Sequence, residues 1–163
     1  IYEDFMCPIC HEFEIQTGPA LQQLISDNKV TVRYHPVSIL DRASNGTRFS
    51  TRAAGAAAAA AVDGRFTEYH RVLFDNQPAE GSDGLDDAKL IELGTSVGLG
   101  DTFATAVRER TYDAWVTKST DTFSARGFNG TPSIVVAGKQ VQGPGGTLPT
   151  TEVVTEAVTQ AAG

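Results

Sequence analysis

Cysteine is scarce in this chain: there are two in 163 residues, Cys7 and Cys10. That excludes a disulfide framework, which needs more half-cystines spread along the sequence. A structural zinc site takes four ligands, and the three histidines, His11, His35 and His70, show no metal-ligand spacing with one another. Basic charge is short as well. Thirteen Lys and Arg stand against twenty Asp and Glu, a formal net charge of -7. No basic stripe is present to follow phosphates, which argues against a nucleic-acid partner. Long hydrophobic runs are missing. The longest candidate, residues 53–62, is mostly alanine and is interrupted by Gly55, well short of the ~18 apolar residues of a membrane span. The remainder, 40% hydrophobic and 20% charged, is a globular composition, long enough for one domain or a core with one insertion.

The order of elements follows from periodicity. Ile1, Tyr2 and Phe5 are strand formers. A strand at the first residue predicts that upstream sequence was removed: a signal peptide or membrane anchor, and an outer strand. Pro8 suits the first turn of a helix, where its missing N–H is not needed. Ile9, Phe13, Leu21, Leu24 and Ile25 share one face up to about Asn28, with a kink or break expected at Gly18-Pro19. Val30, Val32 and Tyr34 alternate with polar residues as a second strand. Strand, helix, strand predicts a right-handed crossover between parallel strands. The middle lacks alternation. It predicts helices over residues 53–62, 65–76 and 86–98, and a long one capped by Asp101 that runs to about Ser124 and carries Phe103, Val107, Trp115 and Val116. Residues 133–136 and 140–142 then form a hairpin, and Thr151 caps a final helix.

Cys7 falls where the first strand gives way to the first helix. Unpaired backbone N–H groups and the positive end of the helix dipole there favour a thiolate, the reactive form. Cys10 lies one turn on, within disulfide reach and more buried. Cys7 is therefore the expected attacker and Cys10 the resolver. A Cys7 pKa near 4.5 would favour the reduced pair by about 3.4 kcal/mol at pH 7, raising the potential by about 70 mV and making the disulfide an oxidant. Pro8 and Ile9, between the cysteines, tune that shift. Neither is charged, so the helix terminus is expected to supply most of it. As a mere staple the pair closes a loop worth only about 2 kcal/mol. Glu3, Asp4, Glu12 and Glu14 crowd acids around the pair and, unpaired, would oppose the thiolate. His11 reads as a partly exposed helix residue, His35 as structural, His70 as helix surface and Trp115 as packing of the helical block.

The run Glu3-Asp4-Phe5-Met6-Cys7-Pro8-Ile9-Cys10 with Phe13-Glu14, and Gly130-Thr131-Pro132-Ser133 before Ile134-Val135-Val136, resembles the DsbA-like thiol:disulfide oxidoreductases of the thioredoxin superfamily. The resemblance covers nearly the whole chain. It implies an α/β fold, a thioredoxin-like core of residues 1–48 and 127–163 with an inserted all-helical domain of residues 49–126. It implies Cys7 as nucleophile, Cys10 as resolving cysteine, and Pro8 and Ile9 as redox-tuning. Glu14 matches a position that often holds an acid in DsbA and counts as redox-tuning. Pro132 matches the family's cis-proline, and Thr131 before it the residue that contacts substrate backbone. DsbA carries His where Ile9 stands and Val where Thr131 stands, and losing the His removes a cation beside the thiolate.

The expected activity is dithiol–disulfide exchange with unfolded or partly folded cysteine-containing proteins, in the oxidising direction and outside the cytoplasm (periplasmic, cell-envelope or secreted). A membrane or soluble redox partner recycles the pair. No metal, flavin or nucleotide cofactor is implied. Two alternatives stay open: a reductase or isomerase, and a glutathione-dependent transferase or isomerase built on the same architecture.

Overall fold

The computed structural model describes residues 1–162. Strand β1 (Tyr2–Glu3) pairs in parallel with β2 (His35–Pro36), Tyr2 opposite His35 and Glu3 opposite Pro36. Helix α1 (Pro8–Ser26) makes the crossover between them. On its other side β1 is bridged to Ser133, whose N–H and C=O both bond to Tyr2 at 2.9 Å. Just beyond that bridge, β3 (Ile134–Val136) forms an antiparallel hairpin with β4 (Lys139–Val141). Helix α7 (Thr151–Ala162) closes against α1, where the Thr151 hydroxyl donates to the Gln16 carbonyl at 2.9 Å.

Five helices fill the middle: α2 (Phe49–Val62), α3 (Phe66–Asp75), α4 (Asp87–Ser96), α5 (Asp101–Arg108) and α6 (Asp113–Ala125). Helix α2 is their hub because its alanines have no bulk. Ala53, Ala54, Ala57 and Ala60 are wholly buried, which lets the neighbouring backbones approach closely. Its start is held from a distance: the Asp41 carboxylate accepts the Thr51 N–H at 2.9 Å, and Ser44 Oγ accepts the Phe49 N–H at 3.1 Å. Helix α6 reaches back to the strands. Phe123 on α6 and Phe128 just beyond it pack against Tyr2 with ring centroids 5.7 and 5.3 Å away, and Thr120 Oγ1 accepts the Ser38 N–H at 3.0 Å.

Several expectations need correction. The helix predicted from Asp101 to Ser124 is two helices. Arg110 takes a left-handed conformation (φ 57°) and its carbonyl accepts the Asp113 N–H, which turns the chain between α5 and α6. Its guanidinium meets Asp87 at 2.8 Å, tying the turn to α4. Asp101 is the first helical residue, and Gly100 takes the capping position. Gly18-Pro19 does not break α1. Pro19 is exposed, and so is Ile15, whose carbonyl loses its helical donor. The second strand does not form over residues 30–34, where Val30, Val32 and Tyr34 alternate: it is His35–Pro36, because the ladder forms only where Tyr2 and Glu3 lie opposite it. Trp115 is 42% exposed rather than packed in the helical block. His70 is buried, 6% exposed, rather than on a helix surface.

If the alanine face of α2 sets the helix spacing, Ala57→Leu overpacks it and costs about 1–3 kcal/mol. Thermal unfolding then falls by roughly 2–12 °C. Ala61→Leu, on the exposed side of the same helix, leaves the midpoint within about 0.5 kcal/mol of the parent.

Candidate active site

Cys7 is the capping residue of α1, in an extended conformation (φ -78°, ψ 114°), and Pro8 occupies the first helical position. The turn that delivers it is closed by the Cys7 N–H donating to the Asp4 carbonyl at 2.9 Å. The Cys7 carbonyl accepts the Cys10 N–H at 3.1 Å, placing Cys10 one turn along. Both cysteines are free thiols. Cys10 is 1% exposed and Cys7 6%, while Pro8 and Ile9 form an exposed rim above them.

The loop before β3 comes from the far end of the chain to meet this turn. The Cys7 thiol donates to the Thr131 carbonyl at 3.3 Å. The Thr131–Pro132 peptide is cis, and both residues are half-buried. The structure thus brings Cys7, Cys10, Thr131 and Pro132 together.

The two sulfurs are pushed in opposite directions. The Cys7 pKa is lowered to about 6. The largest cause is the hydrogen bond from the Cys10 thiol. Burial opposes it, and the Thr131 side chain and the backbone N–H groups of Cys10 and Ile9 add to it. The Thr131 carbonyl contact favours the protonated sulfur and works against this shift without reversing it. The expectation that the helix terminus supplies most of the shift is therefore corrected: the neighbouring thiol comes first. Cys10 is pushed well above the ordinary thiol value, by burial first and then by its hydrogen bond and charge interaction with Cys7. For Cys7 the gain at pH 7 is at most about 1.4 kcal/mol favouring the reduced pair, or about 30 mV, with solvent at the rim screening part of it.

Three of the four acids around the pair, Asp4, Glu3 and Glu12, are partnered. Asp4 is fully buried and accepts the N–H groups of Met6 (2.9 Å) and Leu40 (3.0 Å). Burial raises its pKa to about 6 against those bonds. Glu3 is 1% exposed, and its Oε1 lies 2.7 Å from His70 Nε2. Glu12 is exposed and accepts from Gln16 at 2.9 Å. Glu14 does not reach Cys7. It lies beside Glu3 and His70, where burial and then the Glu3 charge push its pKa up to about 7. For His70, burial opposes the charged imidazolium, but the charge and hydrogen bond of Glu3, with Glu14, outweigh it and raise the pKa.

Three residues at the site escape a motif-based reading: Glu3 as a buried partner, His70, and Gln77. Gln77 Nε2 donates to the carbonyls of Phe5 and Cys7, both at 3.0 Å, clamping the turn ahead of α1 from the end of α3. For His70 the signal was present. Phe66, His70 and Phe74 recur at four-residue spacing, so the imidazole sits in the apolar stripe of its helix.

The family model described as Thioredoxin matches residues 1–155. The reduced disulfide oxidoreductase DsbG of Mycobacterium tuberculosis is 31% identical, with a TM-score of 0.83 over 99% of this chain and 76% of that one. Oxidised DsbA of the same organism is 32% identical, with a TM-score of 0.83 over 99% of this chain and 81% of that one. The serine/threonine-protein kinase PknE of Mycobacterium tuberculosis is 26% identical over 144 residues, 82% of this chain and 25% of the kinase. The chain thus spans about a quarter of the length of the curated relatives it matches. A dithiol at the mouth of α1, the Thr131–Pro132 loop against it and these likenesses converge: the chain belongs to the thioredoxin family, among the DsbA-like thiol-disulfide oxidoreductases.

Proposed function

We propose that this chain exchanges disulfides with unfolded or partly folded cysteine-containing proteins through Cys7 and Cys10, in the oxidising direction and outside the cytoplasm. The observation that carries the reading is the placement of Cys7 as the capping residue of α1, with Cys10 one turn on and the cis Thr131–Pro132 loop against the Cys7 sulfur; the opposed shifts of the two thiols agree with it. Residues 49–126 act as an inserted helical domain on a core of residues 1–48 and 127–163. A membrane or soluble redox partner restores the disulfide.

The oxidising cycle runs in two exchanges. A substrate thiolate attacks Cys7 Sγ of the Cys7–Cys10 disulfide, forming a mixed disulfide, and Cys10 leaves and takes a proton. A second substrate thiolate then attacks the substrate sulfur of that bond, and Cys7 leaves as a thiolate. Two substrate thiols become one disulfide, and two electrons reduce the pair. A thiol of lower pKa leaves faster, so the second step is aided by the Cys7 environment. In reverse, the same pair is a reductase: Cys7 attacks and Cys10 resolves. Pro8 and Ile9 set the rim, Glu14 adds an acid one turn below Cys10, and Thr131 and Pro132 present the surface on which substrate backbone lies.

Three measurements test this. The thiolate absorbance of the reduced protein titrates with a midpoint near 6. Cys10→Ala raises that midpoint by about 1–2 units, because a hydrogen bond to a charged group is worth about 1.5–3 kcal/mol. An unchanged midpoint would instead credit the helix terminus. Next, potential plotted against pH falls by about 59 mV per unit while both thiols are protonated and by about 30 mV per unit above the Cys7 pKa. A break near pH 6 is expected, and a single slope through pH 8 contradicts an anionic Cys7. Finally, Cys7→Ser abolishes oxidative refolding of a reduced substrate. Retention of that activity overturns the reading.

A further inference from the structure

Behind the cysteine pair, three elements far apart in sequence bring metal-ligating side chains together. Glu3 lies on β1, Glu14 on α1 one turn past Cys10, and His70 in the middle of α3. One ligand atom from each lies within 4.8 Å of the others. Glu3 and His70 are buried and joined at 2.7 Å. Glu14 Oε1 is also buried, yet has no hydrogen-bond partner among the described residues. Its carboxylate extends toward the next turn of α1, where a Cβ at position 18 would come within 3.3 Å of Glu14 Oε2, so glycine there leaves it room. A cleft of about 460 Å³, lined by His11, Glu14, Ile15, Tyr34, Phe66 and His70, gives access.

We propose that Glu3, Glu14 and His70 form a binding site for a divalent transition cation of the zinc type, with its fourth position open to the cleft.

The donor set selects the ion. One imidazole nitrogen and two carboxylate oxygens suit zinc, whose sites combine these ligands and often keep one position for water. Calcium takes six to eight oxygens and magnesium an octahedron of them, which three side chains including an imidazole do not supply. The spacing is of the right order. Ligands about 2.1 Å from a tetrahedral ion lie about 3.4 Å apart. The Glu3–His70 contact would open slightly and Glu14 would draw in, both by side-chain rotation.

Charge balance favours the same occupant. Two carboxylates and a neutral imidazole neutralise one divalent cation. The Glu3–His70 pair alone offsets one carboxylate and leaves Glu14 Oε1 desolvated without a hydrogen-bond donor. On binding, the cation replaces any proton on His70 Nε2 and Glu14, and these protons go to solvent. The metal site does not rest on the dithiol exchange, and its test holds the cysteines as a disulfide, so the two readings fail independently.

The test uses metal-free protein oxidised to the Cys7–Cys10 disulfide, so that neither thiol can be a ligand. Zn2+ is titrated by calorimetry, and Co2+ serves as the spectroscopic probe. The expected result is one ion per chain, visible ligand-field bands with Co2+, and a Tm that rises with Zn2+ concentration. Glu14→Gln, isosteric and at a position without a partner, lowers Zn2+ affinity by at least about tenfold, the loss that even a change beyond the ligands produces. Its Tm in chelator, compared with the parent, shows that it is folded. Three results would each overturn the site: neither Co2+ bands nor a Tm response at millimolar Zn2+, equal affinity in Glu14→Gln and parent, or tighter binding of Ca2+ than of Zn2+.

Discussion

Two buried carboxylates, at the end of the strand that delivers Cys7 and in the turn after it, govern the rest of the site. A charge taken out of water must meet donors or a counter-charge, or it gives up its ionisation. Asp4 meets the N–H groups of Met6 and Leu40, which fixes both the turn into α1 and the chain after β2. Glu3 meets His70, which fixes α3 against the sheet. Gln77, at the end of the same helix, then holds the carbonyls of Phe5 and Cys7. The dithiol is therefore positioned from the helical block as much as from its own strand and helix. Removing one member of the Glu3–His70 pair would leave the other uncompensated in an apolar setting of Phe5, Tyr34, Phe66 and Phe74.

How much of this the sequence shows depends on the range of the interaction. The Cys7-Pro8-Ile9-Cys10 turn is local, and its register on α1 follows from Pro8 at the first helical position. The hairpin of β3 and β4 is local too, with Ala137 and Gly138 both at positive φ between the strands. The break between α5 and α6 was hidden, because Arg110 is an ordinary helix former, and the Asp87 contact that accompanies its left-handed turn comes from another helix. Trp115 misled for a related reason. An aromatic residue at helical spacing suggests core, but Ala58, Ala61 and Val62 opposite it leave an open groove.

The buried cluster is the clearest case of information that spacing cannot carry. Glu3, Glu14 and His70 show no ligand spacing, because a metal motif read along one chain segment needs its members on one helix or turn. Here each comes from a different element, and only the parallel crossover and the docking of α3 bring them within 4.8 Å. What the sequence did hold was an inconsistency: an acid between strand formers at position 3, and an imidazole in an apolar helical stripe at position 70. Local patterns that disagree with their surroundings mark functional or strained places.

The source of the Cys7 shift bears on how oxidising the pair is. A hydrogen bond between the two sulfurs exists only in the dithiol, so all of its free energy favours the reduced form and raises the potential. Backbone N–H groups at a helix terminus differ, because they face the disulfide as well as the thiolate, and only the difference between those interactions counts. Ile9 brings no cation to the rim, which leaves Cys10 as the main donor. The same arrangement raises Cys10, as giving its hydrogen to Cys7 and lying beside a negative sulfur both penalise its own ionisation. Burial of Cys10, the larger cause of its rise, and this contact together separate the two pKa values. Their separation, more than the level of either alone, lets a single sulfur exchange with substrate while the other waits protonated beneath it.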